Sequence, residues 1–269
     1  MPARIPDETK KQVIKDYKNN SLIKDIAKHH KIDRNSVSRI LNSNGILTKY
    51  VLDHDFFEKI DTEEKAYILG FITGDGLVGD KSNKNRIAVG LKKDDVSLLE
   101  KIKKILKSNH KLFLTKQFDK RTNKTYERRT LSFTSAKMRQ DLNNFHLYER
   151  KSTSGIYVFP ELPKDLISHY LRGLVDSDGT ISFTKKTNCW SVGMSGNYKI
   201  CEAFSNKIFE KLKIEKRAIS KDGSIFRTTY YAKENVKTIL SFLYDDASIF
   251  LERKLKTSQK ARNHISNRL

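Results

Sequence analysis

The sequence predicts an α+β fold of two pseudo-symmetric αββαββα halves with antiparallel sheets, preceded by a small all-α module. Three observations carry the prediction. Two stretches of one type, Tyr67-Ile-Leu-Gly-Phe-Ile-Thr-Gly-Asp-Gly76 and Tyr170-Leu-Arg-Gly-Leu-Val-Asp-Ser-Asp-Gly179, each read as an apolar helix that runs into a carboxylate and stops at a glycine. Their spacing of 103 residues, from Asp75 to Asp178, recurs for Gly70/Gly173, Gly76/Gly179, Val89/Val192 and Gly90/Gly193, and returns where Leu147-Tyr-Glu-Arg-Lys151 answers Phe250-Leu-Glu-Arg-Lys254. A repeat of that length is a duplicated domain, since solenoid periods are shorter. The first 48 residues, by contrast, carry helical signals only.

Residues 1–48 form the module. Residues 7–18 place Val13, Ile14 and Tyr17 on one helix, residues 23–30 make a second, and Asp33 reads as the N-cap of a third that runs to about Asn42. Ile26, Ala27, Ile32, Val37 and Ile40 fall where a helix-turn-helix needs its core, and the stretch resembles the helix-turn-helix of resolvases and related regulators. Lys31 stands where a turn glycine is common. The resemblance sends the third helix into a major groove and offers Arg34, Asn35, Ser36, Ser38 and Arg39 to bases and phosphates; a plain three-helix bundle is the alternative. His29 and His30 read as solvent or helix-crossing residues.

Asn42-Ser-Asn-Gly45 closes the module, and residues 49–60 form a linker that Phe56, Phe57 and Ile60 dock onto the next domain. Asp61-Thr-Glu-Glu64 reads as a capping box opening the first repeat, residues 61–163. There Ile87, Val89 and Leu91 alternate as a strand, residues 94–107 form a helix, 112–118 and 126–133 form a hairpin, and 136–144 are helical. The second repeat, residues 164–269, has strands near 180–186 and 190–195, a helix over 199–212, and a hairpin with Asp222-Gly223 at its turn. In each half one sheet face packs on helices and one is free.

The motif helices hold the chemistry. Gly76 and Gly179 are expected to be left-handed caps. An acid just before such a cap is repelled by the helix dipole, so Asp75 and Asp178 are in the wrong place for stability. Gly70 and Gly74 lie four apart on one helical face, as do Gly173 and Ser177, and small residues at that spacing let two helices approach closely. Packed so, the two aspartates arrive side by side and repel unless a cation sits between them. The arrangement suits a divalent metal, held by both carboxylates and by the backbone carbonyls of Gly74 and Ser177. Two ordinary buried helices with polar ends are the bland alternative.

Residues 68–76 and 171–179 resemble the paired motifs of LAGLIDADG homing endonucleases in their single-chain form, matching at the glycines, the apolar positions and the penultimate aspartate. The first copy departs at Thr73, where Asp176 keeps the acid. The resemblance covers residues 55–269. It implies sheets that form a saddle over the major groove of double-stranded DNA, and cleavage of both strands across the minor groove to leave short 3′ overhangs. Mg2+ is the implied cofactor, with Mn2+ or Ca2+ able to substitute, and no small-molecule cofactor is called for. It further implies that Lys151 and Lys254, each 76 residues after its aspartate, are the basic residues beside the two active sites; a surface cation is the alternative for each. Lys92 and Lys93 are weaker candidates there, and the second half has Ser195 and Gly196 instead. One chain with both motifs implies a monomer.

Charge agrees with a polyanionic partner: 53 Lys+Arg stand against 32 Asp+Glu, for a net charge of +21. No apolar run reaches the length of a membrane span and no signal peptide is evident, so an intracellular protein without a membrane role is expected. Two cysteines, Cys189 and Cys201, are too few for a disulfide scaffold or a zinc site. Lys116, Lys120, Arg121, Lys124, Arg128 and Arg129 on the first hairpin, Arg217, Lys221 and Arg227 on the second, and Lys81, Lys84, Arg86, Lys185 and Lys186 near strand ends are the cations expected on the free faces. Alternation within the strands points several of them to one side. A non-cleaving DNA-binding regulator or an RNA maturase on the same scaffold are the other readings; an intein is not expected, because no cysteine or serine opens the sequence as a splicing nucleophile and no His-Asn pair closes it.

Overall fold

The computed structural model describes residues 5–19, 21–46, 50–79, 83–119, 123–148 and 157–267. Lys81, Lys120, Arg121 and Lys151 lie outside them. The chain divides into two units, one of residues 1–52 with 108–111, the other of residues 53–107 with 112–269.

In the first unit α1 (Asp7–Lys18), α2 (Ile23–His29) and α3 (Arg34–Ser43) close around Val13, Ile26, Ala27, Val37, Ile40 and Leu41. Asp33 caps α3 by accepting the Ser36 N–H at 2.9 Å, and the Ser36 hydroxyl closes back on the same carboxylate. Lys31, between α2 and α3, takes the left-handed conformation (φ 53°) that glycine usually supplies.

The second unit runs α4 (Glu63–Asp75), β1 (Gly76–Val78), β2 (Arg86–Lys92), α5 (Val96–Ile105), β3 (Phe113–Asp119), β4 (Lys124–Thr134) and α6 (Ala136–Asn144). It then repeats the order as α7 (Ile167–Asp178), β5 (Gly179–Thr184), β6 (Cys189–Gly196), α8 (Tyr198–Leu212), β7 (Ser220–Asp222), β8 (Ile225–Tyr230) and α9 (Lys233–Tyr244). Both halves are αββαββα, and the second adds α10 (Glu252–Ser266). The antiparallel sheets follow one plan, β1-β2-β4-β3 and β5-β6-β8-β7.

Thr62, not an acid pair, opens α4: its hydroxyl accepts the Lys65 N–H. Lys65 stands where a capping box has its acid, and its ammonium pairs with Asp61 at 2.9 Å, so the expected box is a single-sided cap. Beyond this first turn α4 is apolar on every face, with Ala66, Tyr67, Ile68, Leu69, Phe71 and Ile72 all buried. A helix of that kind belongs in the centre of a core, and each large side chain adds roughly 1.5–3 kcal/mol by leaving water.

Its partner is α7. A Cβ on Gly70 would stand 2.1 Å from the Tyr170 carbonyl oxygen, and one on Gly173 would stand 2.2 Å from that of Tyr67. The backbones therefore touch where the small residues sit. The glycines at the helix ends work otherwise than expected. Gly76 (φ −78°) and Gly179 (φ −77°) are extended rather than left-handed. Space requires them: a Cβ would lie 2.7 Å from the Ile72 Cα or 2.6 Å from the Val175 Cα. The chain doubles back from helix to strand against its own last turn.

Candidate functional site

At one end of the α4–α7 seam the two motifs bring their acids together. A Cβ on Gly74 would lie 1.9 Å from the Ser177 hydroxyl oxygen and 2.9 Å from Asp178 Oδ2. Gly74 is thus the gap into which the opposite motif fits, and Asp75 is its next residue. Asp178 is half-buried and Asp75 exposed. Both helices end here, and the last carbonyls of a helix have no intrahelical partners. Carboxylates and carbonyls are hard oxygen donors, so the residues present fit Mg2+, Mn2+ or Ca2+ better than a soft ion.

Lys254, in the first turn of α10, is 7% exposed, which rules out the surface-cation alternative. Its ammonium donates to the carbonyl of Gly179 at 2.7 Å and to that of Val175, holding the end of α7. Burial pushes this ammonium down to about 8, against the pull of Asp176, Asp178 and Asp75. The cation thus lies within electrostatic reach of both candidate ligands while its hydrogen bonds go to backbone. Its counterpart Lys151 is among the residues outside the description.

What places Lys254 is Asp176, the acid that the first motif lacks. Its carboxylate is 1% exposed and accepts the Tyr67 hydroxyl at 2.7 Å, the Tyr244 hydroxyl at 2.6 Å and the Leu251 N–H at 2.6 Å. Leu251 is the N-cap of α10, three residues before Lys254. Burial raises the Asp176 carboxyl above its ordinary range, and the three donors oppose that. Sequence reasoning passed over this network, although Tyr67 and Tyr170 stand at the same offset of 103 and were a signal for it. Beside the acids lies a cavity of about 220 Å³ that Thr73, Gly74, Asp178, His146, Tyr157 and Asn197 help to line.

The predicted nucleic-acid residues divide by strand register. Residues paired across antiparallel strands share a face. Lys92 pairs with Arg128 and Arg86 with Thr134, so both fall with Gly90, Ser132 and Lys124 on the free face. Arg128 lies flat there: its guanidinium donates to the Gly90 carbonyl at 2.8 Å, and a Cβ on Gly90 would strike it. Arg129 pairs with Leu91 and Lys116 with Glu127, which puts both on the opposite, helix-side face. The expectation of one cationic face thus fails for these two. Lys93, another weaker candidate, pairs with Glu127. In the second sheet Arg227 pairs with Ser195 on the free face and is tied to Asp222 at 3.0 Å, while Lys221 pairs with Phe226 on the other side. Lys185 and Lys186 are exposed at the β5–β6 turn, and Arg217 is exposed before β7. On α3, Arg34, Asn35 and Arg39 are exposed, whereas Ser36 and Ser38 are half-buried.

No family model and no curated protein matches the sequence. Solved structures do. The chain is similar to the homing endonuclease I-WcaI bound to its DNA recognition sequence, at 16% identity over 76% of this chain and 90% of that one, with a TM-score of 0.52. It is similar to the LAGLIDADG homing endonuclease I-GzeII in complex with its DNA target, at 12% identity over 76% and 91% of the two chains, with a TM-score of 0.51. Full-length DUF199/WhiA from Thermatoga maritima matches at 15% identity over 81% of this chain and 65% of that one, with a TM-score of 0.49. With two glycine-seamed motif helices and two four-stranded antiparallel sheets, this chain has the LAGLIDADG fold.

Proposed function

We propose that the protein is a monomeric, site-specific endonuclease that hydrolyses both strands of DNA with Mg2+, across the minor groove of a long asymmetric target. The observation that carries this reading is the meeting of Asp75 and Asp178 at one end of the seam, where Gly74 leaves room for the opposite motif. Nothing in folding calls for two acids at adjoining helix C-termini, where the dipoles disfavour them. A cation does.

Asp75 and Asp178, with the carbonyls of Gly74 and Ser177, are the residues that would hold it. A divalent ion there supplies Lewis acidity and an activated water for phosphodiester hydrolysis. Lys254 keeps a positive charge beside the pair and offsets negative charge that develops on the phosphate; Lys151 is assigned the same part in the first half. Arg86, Lys92, Lys124 and Arg128 on the first free face bind phosphates, and the surplus of cations draws the duplex in. Arg34, Asn35 and Arg39 extend the footprint from the three-helix unit, in the manner of a helix-turn-helix. The structures of I-WcaI and I-GzeII with DNA support the choice of partner.

The test is cleavage of a randomised plasmid library with Mg2+, by the parent chain and by Asp75→Asn and Asp178→Asn. Each single variant is expected to lose double-strand cutting by roughly a thousandfold, the several kcal/mol that a metal ion contributes, while DNA binding persists. Full cutting by both variants overturns the assignment. Binding by the parent chain with no cutting in any of Mg2+, Mn2+ or Ca2+ makes the protein a DNA-binding regulator instead.

A further inference from the structure

A second cluster of metal-binding side chains lies in the three-helix unit, away from any use in cleavage. Asp16, near the end of α1, and His29 and His30, at the end of α2, converge so that one ligand atom from each lies within 4.8 Å of the others. His30 Nε2 is 2.7 Å from Asp16 Oδ2, and the His29 ring stands edge-on to that of His30 with 4.7 Å between centroids. The other oxygen of Asp16 accepts the Gln12 amide at 3.0 Å, which fixes the plane of the carboxylate. We propose that Asp16, His29 and His30 bind a divalent transition-metal ion, with zinc as the occupant.

The donor set selects the metal. Two imidazoles and one carboxylate suit zinc and its neighbours, whereas Mg2+ and Ca2+ take oxygen alone. Three protein ligands leave a fourth tetrahedral position open to water or another donor. Zinc–nitrogen bonds of about 2.0–2.1 Å put tetrahedral donors about 3.3 Å apart, so the Asp16–His30 pair is already close enough. His29 has to close the remaining distance, and its ring is exposed rather than buried in the core. Gln12 is the outer-shell partner that orients a ligating carboxylate.

The ion would join α1 to His29, the last residue of α2, and to His30, its C-cap, immediately before Lys31 turns the chain into α3. It therefore fixes the attitude of the helix that displays Arg34, Asn35 and Arg39. The site is a structural brace, and it stands or falls separately from the endonuclease reading.

The experiment uses the untagged full chain carrying Asp75→Asn and Asp178→Asn, so that the seam carboxylates do not compete. Zn2+ is titrated by calorimetry at neutral pH, and Co2+ by its visible absorption. One equivalent is expected, with the intense absorption of four-coordinate cobalt and a thermal midpoint that rises with Zn2+. His29→Ala, at an exposed position outside the core, is expected to weaken binding by well over the ~10-fold that an outer-shell loss costs, and Gln12→Ala by about that ~10-fold. Absence of saturable binding overturns the proposal, as does binding unchanged in both His29→Ala and Asp16→Asn. So does a midpoint that falls in His30→Ala but ignores Zn2+ in the parent, which makes Asp16 and His30 a plain ion pair.

Discussion

The two motif helices occupy equivalent places and bury different chemistry. Where α4 has Leu69 and Thr73, α7 has Arg172 and Asp176, and all four are buried. Tyr67 and Tyr170 reach across the seam in the same way, but Tyr67 meets a carboxylate and Tyr170 meets the Thr73 hydroxyl. The polar pair on α7 is turned outward from the seam as well. Arg172 donates to the carbonyls of Leu243 and Ile249, both at 2.9 Å, and to Glu63 at the start of α4, while Asp176 takes the N–H of Leu251. Between them they fasten the connection from α9 to α10, and with it Lys254. One helix is held by its apolar surface; the other also organises the chain around it. The repeat therefore keeps the paired acids at the helix ends and gives the interior positions different work.

If α7 is the organiser, making it resemble α4 should cost most. Arg172→Leu copies Leu69 but leaves Glu63 and two carbonyls without their buried partner. A loss of roughly 3–5 kcal/mol is expected in denaturant unfolding, the range for breaking a buried charge pair. An effect below about 1 kcal/mol would erase the contrast between the helices. Lys254 gives the next largest effect, and a pH signature. Its folded pKa, about 8, is below its ordinary 10.5, so between those values the unfolded chain holds the extra proton. Stability carried by this residue should therefore rise with pH across that window, by about 3 kcal/mol. The metal-free parent minus Lys254→Met difference isolates it; a flat difference means the ammonium is solvated.

Asp176 and Thr73 make a matched pair. Asp176→Asn keeps the shape but cannot accept three donors, and about 2 kcal/mol should go; Thr73→Val removes one hydroxyl partner and should cost about 1 kcal/mol. Because burial raises the Asp176 carboxyl, the folded form binds its proton more readily than the unfolded one, so this group's contribution falls as pH rises from 3.8 through the raised value. Asp176→Asn should remove that slope and Thr73→Val should leave it. Equal losses from both variants would show that the acid gives nothing a hydroxyl does not.

Much of this was legible in the sequence, for a physical reason. Small residues four apart report backbone contact, and a repeat of 103 residues reports which two backbones, so the seam and its acids could be read directly. The rest depended on partners far along the chain. Tyr244 and Leu251 lie 68 and 75 residues from Asp176, beyond any local pattern. Helix α10 escaped because the residues it buries are Lys254, Ser258, Ala261 and Ile265, a helical spacing with little hydrophobicity in it. Gly76 and Gly179 gave the right residue for the wrong reason, since a glycine required by space and one required by φ look alike. The sides taken by Lys116 and Arg129 followed from register, which alternation alone does not fix.

Register also gives the free faces different surfaces, and this is the smallest effect to test. Arg86, Lys92, Lys124 and Arg128 share the first face. Thr180, Ser182, Thr184, Ser191, Ser195 and Thr229 make the second one hydroxyl-rich, and there Arg227 is held by Asp222. On the proposed DNA-binding reading, the first sheet should grip phosphate by charge and the second by hydrogen bonds. Arg128→Ala should then lower the dependence of log affinity on log salt by about 0.9, one phosphate contact, with a loss of about 1 kcal/mol. Arg227→Ala should change the slope by less, because Asp222 already offsets that charge. Asp222→Asn should do the reverse, tightening DNA binding and steepening the salt dependence as Arg227 is released. A steeper loss from Arg227→Ala than from Arg128→Ala would reverse the division of labour between the sheets.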